Sequence, residues 1–179
     1  TMHEMGEIKT KVFEKFEKYD FKLWQRSLNG HLSGVFIVTK SVVSHMLKRK
    51  QGSIVNIASD IGIISPDHRI YEPNKRYKYK GVNFNTPIAY SVAKSGIISM
   101  TRYLATYWAK KGIRVNCISP AGVYKKHNKK FVEQLSHRIP LGRMAKPHEL
   151  NGAIIYLCSN ASSYVTGHNL VVDGGRTTW

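Results

Sequence analysis

The strongest constraint on the fold is the alternation of short β-branched runs with longer amphipathic segments. Three runs, at 53–58, 113–119 and 169–172, have the length and the valine and isoleucine content of buried strands. Helical apolar spacing marks the segments 21–50 and 89–111, and Pro147 opens a further helix. Because strands that alternate with helices form right-handed βαβ units, the chain is predicted to be α/β, with a doubly wound parallel sheet in one domain spanning 1–179.

The charge balance narrows the classes of partner. Lys and Arg number 28 against 11 Asp and Glu, which gives a formal net charge of +17 and an isoelectric point near 10.0. Such an excess attracts nucleic acid, anionic lipid or an anionic substrate, although a lysine-rich solvated surface explains it equally well. No apolar run is long enough to cross a bilayer and no secretory core precedes residue 20, so a cytoplasmic protein without a membrane partner is expected. Cys117 and Cys158 are expected to be buried free thiols.

A tyrosine and a lysine four residues apart mark the start of the helix predicted at 89–111. The i, i+4 spacing places the Tyr90 phenol and the Lys94 ammonium on one helix face. Because an ammonium favours a nearby phenolate, the pair suits proton exchange with an alcohol or a carbonyl. The spacing by itself is a weak signal, since Tyr71 with Lys75 and Tyr107 with Lys111 match it as well.

Candidate site residues follow two of the predicted strands, at the edge where ligands gather in α/β proteins. Ser59 ends the first strand, and its hydroxyl could bond a reacting oxygen or simply cap a turn. Pro120, Ala121 and Gly122 end the second strand. The sequence therefore predicts that a site lies at the carboxyl edge of the sheet.

Five motifs, in order, make the chain resemble the short-chain dehydrogenase/reductase family from about Phe21 to its end. The motifs are GSIVNIASDIG at 52–62, AYSVAKSG at 89–96, IRVNCISPAGV at 113–123, PLGRMAKPHEL at 140–150 and YVTGHNLVVDGG at 164–175. The resemblance implies a Rossmann-type fold, an NAD or NADP cofactor, and an oxidoreductase that interconverts an alcohol and a carbonyl.

The resemblance also implies a role for each site residue. Ser59 would orient and polarise the substrate oxygen, and Tyr90 would exchange the proton. Lys94 would lower the pKa of Tyr90 and hold the nicotinamide ribose. The loop would border the nicotinamide, with Val123 at the position that contacts its carboxamide; this cofactor-binding loop consists of Pro120, Ala121, Gly122 and Val123.

The main departure from the family is in cofactor binding. The sequence contains neither the glycine fingerprint T-G-x-x-x-G-x-G nor the N-N-A-G turn, and the chain is expected to begin just beyond that turn, without the N-terminal cofactor-binding strands. Because those glycines let backbone amides approach a pyrophosphate, the chain alone is expected to hold NAD(P) poorly. A truncated form, a damaged gene product and a mis-started reading frame remain alternatives.

Three smaller departures concern the substrate side. His31 stands seven residues after Trp24, where the family often has an asparagine that supports a proton-relay water. It would serve that relay as a catalytic residue or be a structural histidine. Residues 63–87 form an insertion between the serine and the tyrosine, and Lys125 replaces a threonine of the loop.

Basic residues in the insertion and in the loop after the second strand predict an anionic substrate, such as a phosphorylated or nucleotide-linked sugar. Arg69, Lys125 and Lys126 are the candidate substrate residues. The insertion also resembles that of reductases in bacterial surface-sugar pathways, including those that make sialic-acid-like sugars. The remaining cations of the two segments are Lys75, Arg76, Lys78, Lys80, Lys129 and Lys130.

Two other classes stay open. Cations and aromatics alternate at 76–80, as in proteins that bind single-stranded nucleic acid, although no other nucleic-acid motif accompanies them. A catalytically inactive family fragment is the second alternative. By family analogy, the helices at 21–50 and 89–111 are expected to pair with copies of themselves in a homodimer or homotetramer, and the sheet is expected to have an exposed edge.

Overall fold

The computed structural model describes residues 13–71, 78–79, 82–83 and 85–179 and contains a three-stranded parallel sheet. Its strands are β1 (Gly52–Ile57), β4 (Ile113–Pro120) and β5 (Asn169–Val172), in the order β1-β4-β5. Gly52 pairs with Ile113, and Cys117 pairs with Asn169. The short strands β2 (Lys78–Tyr79) and β3 (Val82–Asn83) form a separate antiparallel pair within the expected insertion. The predicted α/β class and parallel sheet are confirmed.

Helices alternate with these strands. They are α1 (Phe21–Leu28), α2 (Gly34–Arg49), α3 (Ile88–Trp108), α4 (Lys129–Ser136) and α5 (Asn151–Cys158). Single 3-10 turns lie at Phe16–Lys18, Asp60–Gly62, His68–Tyr71, Ala109–Lys111, Pro147–Leu150 and Asn160–Ser162. In the described part of the chain, no helix has the combination of length and apolarity that spanning a membrane requires.

The core lies between α3 and β4. Along α3 the buried side chains recur at helical spacing, and β4 is buried almost throughout. Beside it, Asn56 of β1 donates to Thr101 of α3 at 2.9 Å, so these two buried polar side chains are paired. At the end of the helix Gly112 has φ of 74°, and a Cβ there would lie 2.1 Å from the carbonyl oxygen of Lys50. Only glycine fits this close approach of two turns. The buried residues of α3 are Ala89, Ala93, Ile97, Ile98, Thr101, Ala105 and Trp108.

Two expectations need correction. The helical pattern at 21–50 is not one regular helix, because a π-helical turn, Asn29–Ser33, separates α1 from α2. A Cβ on Gly30 would meet open space, so this glycine loosens the helix and does not serve close packing.

Cys117 is buried as expected, but Cys158 is exposed. It follows buried Leu157 on α5, and consecutive residues on a helix point about 100° apart.

Candidate active site

Ser59 begins the site at the carboxyl end of β1. It is 6% exposed and precedes the 3-10 turn Asp60–Gly62, where its Oγ accepts from the Ile61 N–H at 3.3 Å. The same hydroxyl donates to Oδ1 of Asp60 at 2.8 Å. A Cβ on Gly62 would lie 2.8 Å from the carbonyl carbon of Lys94. The glycine therefore allows this turn to touch the backbone of α3, which carries the tyrosine.

Tyr90 and Lys94 lie one turn apart at the start of α3. The Lys94 Nζ is 5.6 Å from the centre of the Tyr90 ring and donates to the carbonyl oxygen of Ile57 at 2.8 Å. An ammonium has three protons, so two remain for a ligand hydroxyl. Burial also lowers the pKa of Lys94 below its ordinary value.

The Tyr90 phenol is largely buried, and this burial raises its pKa above the ordinary value. A hydrogen bond with Ser59 acts in the opposite direction, and the negative charge of Asp60 raises the pKa further. Lys94, which was expected to lower this pKa, is not among the groups that shift it; its ammonium lies over the ring and donates to the Ile57 carbonyl. The Ser59 hydroxyl and the Tyr90 phenol nevertheless lie within reach of each other.

His31 reaches the same site from the π-helical turn. Its ring stands edge-on to the Tyr90 ring, with centroids 5.5 Å apart and an interplanar angle of 88°. Partial burial, followed by the charge of Lys94, lowers the pKa of His31. The turn is fixed by Leu32, whose Cδ2 lies 3.0 Å from the position that a Cβ on Gly96 would take. The structure thus brings together Ser59, Tyr90, Lys94 and His31.

The loop after β4 begins at the same carboxyl edge of the sheet as Ser59, because β1 and β4 are parallel neighbours. Pro120 is the last residue of β4, and the Ala121 N–H donates to the Val172 carbonyl at 3.2 Å. Val123 pairs with Ala145 in an isolated bridge. Its two hydrogen bonds run from the Ala145 N–H to the Gly122 carbonyl at 3.0 Å and from the Tyr124 N–H to the Ala145 carbonyl at 2.8 Å. The pairing therefore uses the neighbours of Val123 and leaves its own N–H and carbonyl outside the bridge.

The predicted substrate cations lie on exposed segments. Arg69 donates to the Asp67 carboxylate through Nε at 2.8 Å and through Nη2 at 2.9 Å. The side chains of Lys125 and Lys126 are exposed, and Lys126 has a left-handed backbone with φ of 50°. Lys75, Arg76 and Lys80, and with them most of the alternating segment 76–80, lie outside the described residues.

Sequence reasoning missed a buried ion pair beside Ser59. Asp60 is 2% exposed and Arg176 is 6% exposed, and Oδ2 of Asp60 accepts from Nη1 of Arg176. The arginine is held by the C-terminal turn, in which the Asp173 carboxylate accepts from the Gly175 N–H at 2.8 Å and from the Thr177 N–H at 2.7 Å. The one sequence feature that could have indicated this pair is an acidic residue directly after the serine that ends the strand. Nothing in the sequence connects positions 60 and 176.

Known proteins resemble this chain in sequence. A family model described as enoyl-(acyl carrier protein) reductase matches residues 1–177. The 2-dehydro-3-deoxy-D-gluconate 5-dehydrogenase of Bacillus subtilis is 36% identical over 168 residues, which are 90% of this chain and 59% of that protein. The 3-oxoacyl-(acyl-carrier-protein) reductase of Thermotoga maritima is 36% identical over 156 residues, 85% of this chain and 56% of that protein.

A solved structure agrees with these sequence relatives. The short-chain dehydrogenase of Leptospira borgpetersenii with bound NAD+ is 36% identical at a TM-score of 0.82, with 92% of this chain and 60% of that chain covered. The chain thus spans less than two thirds of the length of each of these relatives. The family match extends over nearly all of its 179 residues, and the chain belongs to the short-chain dehydrogenase/reductase family.

Proposed function

We propose that this protein is an NAD(P)-dependent oxidoreductase that interconverts an alcohol and a carbonyl. The observation that carries the proposal is the convergence of Ser59, Tyr90 and Lys94 at the carboxyl edge of the sheet. A serine hydroxyl and a phenol within reach of each other offer two hydrogen-bonding groups to a single substrate oxygen. Relatives named as a sugar-acid dehydrogenase, a 3-oxoacyl-(acyl-carrier-protein) reductase and a glycerol dehydrogenase support the same reaction class.

The residues present fit the nicotinamide half of the cofactor. Two ammonium protons of Lys94 are available for the ribose hydroxyls, and the N–H and carbonyl of Val123 match the acceptor and donor of a carboxamide. Pro120, Ala121 and Gly122 hold that loop against β5 and residue 145. The cofactor, when bound, supplies or accepts the hydride.

The protein side chains then handle the proton. In reduction, the Tyr90 hydroxyl gives its proton to the substrate oxygen as that oxygen gains negative charge. Ser59 orients the oxygen and shares the developing charge through its own hydroxyl. His31, edge-on to Tyr90 and with a lowered pKa, serves as a neutral donor and acceptor that returns a proton from solvent to the tyrosine.

We further propose an anionic or sugar-type substrate, held by Arg69, Lys125 and Lys126. Its support is the formal net charge of +17 and the exposure of these cations on two segments that contact each other. A gluconate 5-dehydrogenase structure from Burkholderia cenocepacia, which contains NADP and tartrate, is 28% identical at a TM-score of 0.79. The sequence resemblance to reductases of surface-sugar pathways belongs to the same proposal.

The test is an assay of the full chain with NADH or NADPH at saturating concentration. A set of keto sugars, keto acids and their phosphorylated forms is offered, and oxidation of the reduced cofactor is followed by absorbance. Tyr90→Phe is expected to abolish turnover, whereas Tyr107→Phe, an exposed tyrosine of the same helix, is expected to retain it. Equal rates for these two variants would contradict the proposal, and absence of turnover with bound cofactor would favour an inactive family member.

Self-association through α2 and α3 is also proposed, as the sequence led us to expect. Apolar side chains are exposed on both helices, including Phe36 at 55%, Val38 at 61% and Tyr103 at 66%. Apolar surface of this kind is uncommon on a helix that faces only water. Light scattering of the purified chain is expected to give a dimer or tetramer, and Phe36→Glu is expected to reduce the mass toward that of a monomer.

A further inference from the structure

We propose that Asp60, paired with Arg176, is a positioning residue that holds the hydroxyl proton of Ser59 away from Tyr90 until negative charge develops beside the serine. This inference rests on the proposed function, since it assigns to Ser59 and Tyr90 a shared reacting oxygen. It adds to that function two residues, 116 positions apart in the chain, that act through Ser59 and not on the substrate or the cofactor directly.

The carboxylate of Asp60 is fixed from two sides. Its Oδ1 accepts from the Ser59 hydroxyl and from the Ile61 N–H, both at 2.8 Å, while Oδ2 accepts from the Arg176 guanidinium. All three side chains are buried, at 6%, 2% and 6% exposure for Ser59, Asp60 and Arg176. Because hydrogen bonds to charged groups are stronger than neutral ones, this arrangement fixes where the carboxylate oxygens lie.

A serine hydroxyl has one proton and two lone pairs. In this structure the proton goes to Asp60, and one lone pair accepts from the Ile61 N–H at 3.3 Å. In the proposed arrangement, the second lone pair accepts from the protonated phenol of Tyr90, with which Ser59 interacts. When Tyr90 loses its proton, Ser59 can donate to the phenolate only by giving up its bond to Asp60.

Asp60 and the phenolate therefore compete for a single proton. Replacing the carboxylate by an amide weakens one competitor, because a neutral carbonyl is a poorer acceptor than a carboxylate. The pKa of Tyr90 then falls for two reasons. Ser59 can donate to the phenolate more readily, and the direct repulsion between the phenolate and the Asp60 charge is lost. Without the serine hydroxyl, only the direct repulsion remains.

Other titratable groups also face Tyr90 and act equally on the variants of Asp60 and Ser59. They are His31 from the π-helical turn, Lys94 from α3 itself, and Tyr71 from the 3-10 turn His68–Tyr71, while Arg176 stands behind Asp60. None of them is changed when Asp60 and Ser59 are substituted. A double-mutant comparison at these two positions isolates their coupling.

The experiment is a titration of the Tyr90 phenol by NMR in the full chain, with tyrosines isotope-labelled at Cζ and no cofactor or substrate present. The Tyr90 signal is assigned by its loss in Tyr90→Phe. Asp60→Asn is made in the native chain and again in Ser59→Ala. The control is Glu149→Gln, which removes the carboxylate of an Arg143 pair on another segment.

We expect Asp60→Asn to lower the pKa of Tyr90 by about half a unit or more in the native chain, and by less than half of that shift in Ser59→Ala. Glu149→Gln is expected to leave the pKa of Tyr90 unchanged. Equal shifts in both backgrounds would overturn the inference, because the charge of Asp60 would then act directly and not through Ser59. A missing shift in the native chain would overturn it as well.

Folding of each variant is checked by circular dichroism. If Asp60→Asn does not fold because Arg176 is left unpaired, the comparison is made with Asp60→Asn/Arg176→Met, with and without Ser59→Ala. The loss of the Arg176 charge acts in both backgrounds, so unequal shifts in the pKa of Tyr90 support the coupling through Ser59 and equal shifts overturn it. The titration needs no turnover. A coupled shift in a chain that transfers no hydride would therefore refute the proposed function alone, whereas turnover with uncoupled shifts would refute the positioning role alone.

Discussion

The ammonium nitrogen of Lys94 lies 5.6 Å from the centre of the Tyr90 ring and donates to the Ile57 carbonyl at 2.8 Å. A second pair with the same spacing lies where α3 ends. The Lys111 ammonium, in the 3-10 turn after the helix, is 5.3 Å from the centre of the Tyr107 ring, a similar distance. Tyr107 is 59% exposed, however, whereas Tyr90 is partly buried next to Ser59. The spacing alone therefore does not distinguish the pair that is proposed to exchange a proton; burial at the edge of the sheet does.

This contrast gives a matched test of the lysine. Lys94→Met is expected to weaken binding of reduced nicotinamide cofactor roughly ten- to hundredfold, the effect of losing hydrogen bonds from a charged donor. Lys111→Met removes the equivalent cation at the exposed pair and is expected to leave the affinity unchanged. Quenching of protein fluorescence by NADPH measures both. Similar affinities for the two variants would remove Lys94 from the proposed cofactor site.

The buried ion pair predicts a large effect on stability. Arg176→Met leaves the Asp60 carboxylate buried without its partner and is expected to lower the free energy of unfolding by about 3–5 kcal/mol. Arg143→Met breaks an ion pair at the surface and is expected to cause a much smaller change. Urea unfolding followed by circular dichroism compares them. Replacing both partners by apolar residues, in Asp60→Leu/Arg176→Met, is expected to recover much of the loss, and failure to do so would mean that packing of the arginine matters more than its charge.

Local features of the sequence predicted the second strand and the helix that precedes it well. The strand predicted at 113–119 is Ile113–Pro120, because its β-branched run is bounded by Gly112 and by a proline. The helix predicted at 89–111 is Ile88–Trp108 followed by a 3-10 turn, because its apolar period is regular. Both signals arise from residues that are neighbours in the chain.

The remaining features depend on tertiary contact and were not predictable in this way. The Asp60–Arg176 pair joins residues 116 positions apart, and the rise in the pKa of Tyr90 comes from burial by several elements. The break at Asn29–Ser33 is a local change of hydrogen bonding within a helical apolar pattern, so the period gave no warning of it. The exposure of Cys158 depends on which face of α5 meets the core.

His31 predicts a pH dependence of stability. Its pKa is lowered in the folded chain, mainly by burial and also by Lys94, so the unfolded chain binds a proton more readily. The contribution of neutral His31 to the free energy of unfolding is therefore complete above the pKa of the unfolded chain, about 6.5. It is lost as the pH falls through the lower pKa of the folded chain. Urea midpoints between about pH 8 and pH 5 are expected to fall less steeply for His31→Asn than for the native chain. Parallel curves would show that His31 does not contribute to the acid sensitivity.

The insertion and the segment around α4 contact each other through an ion pair and an apolar cluster. Oδ2 of Asp67 accepts from Nε of Arg138 at 2.6 Å, and the same carboxylate binds Arg69. Beside this contact Ile70 belongs to one apolar cluster with Leu135 and Ile139. The two segments that contain the proposed substrate cations are therefore joined to each other.

The hydrogen bonds from Arg69 and Arg138 hold the pKa of Asp67 well below its usual range. Ionised Asp67 therefore stabilises the folded chain at every pH above the pKa of the unfolded chain, about 3.9. This stabilisation is lost only as the pH falls through the lower pKa of the folded chain, so the contact is fully formed at neutral pH. Asp67→Asn is expected to increase trypsin cleavage at Lys125, Lys126, Lys129 and Lys130 severalfold at neutral pH, because local opening controls proteolysis. Glu149→Gln, which breaks an ion pair outside these segments, is expected to leave the cleavage rate unchanged. If both variants are cut at the native rate, the apolar cluster alone holds α4 in place.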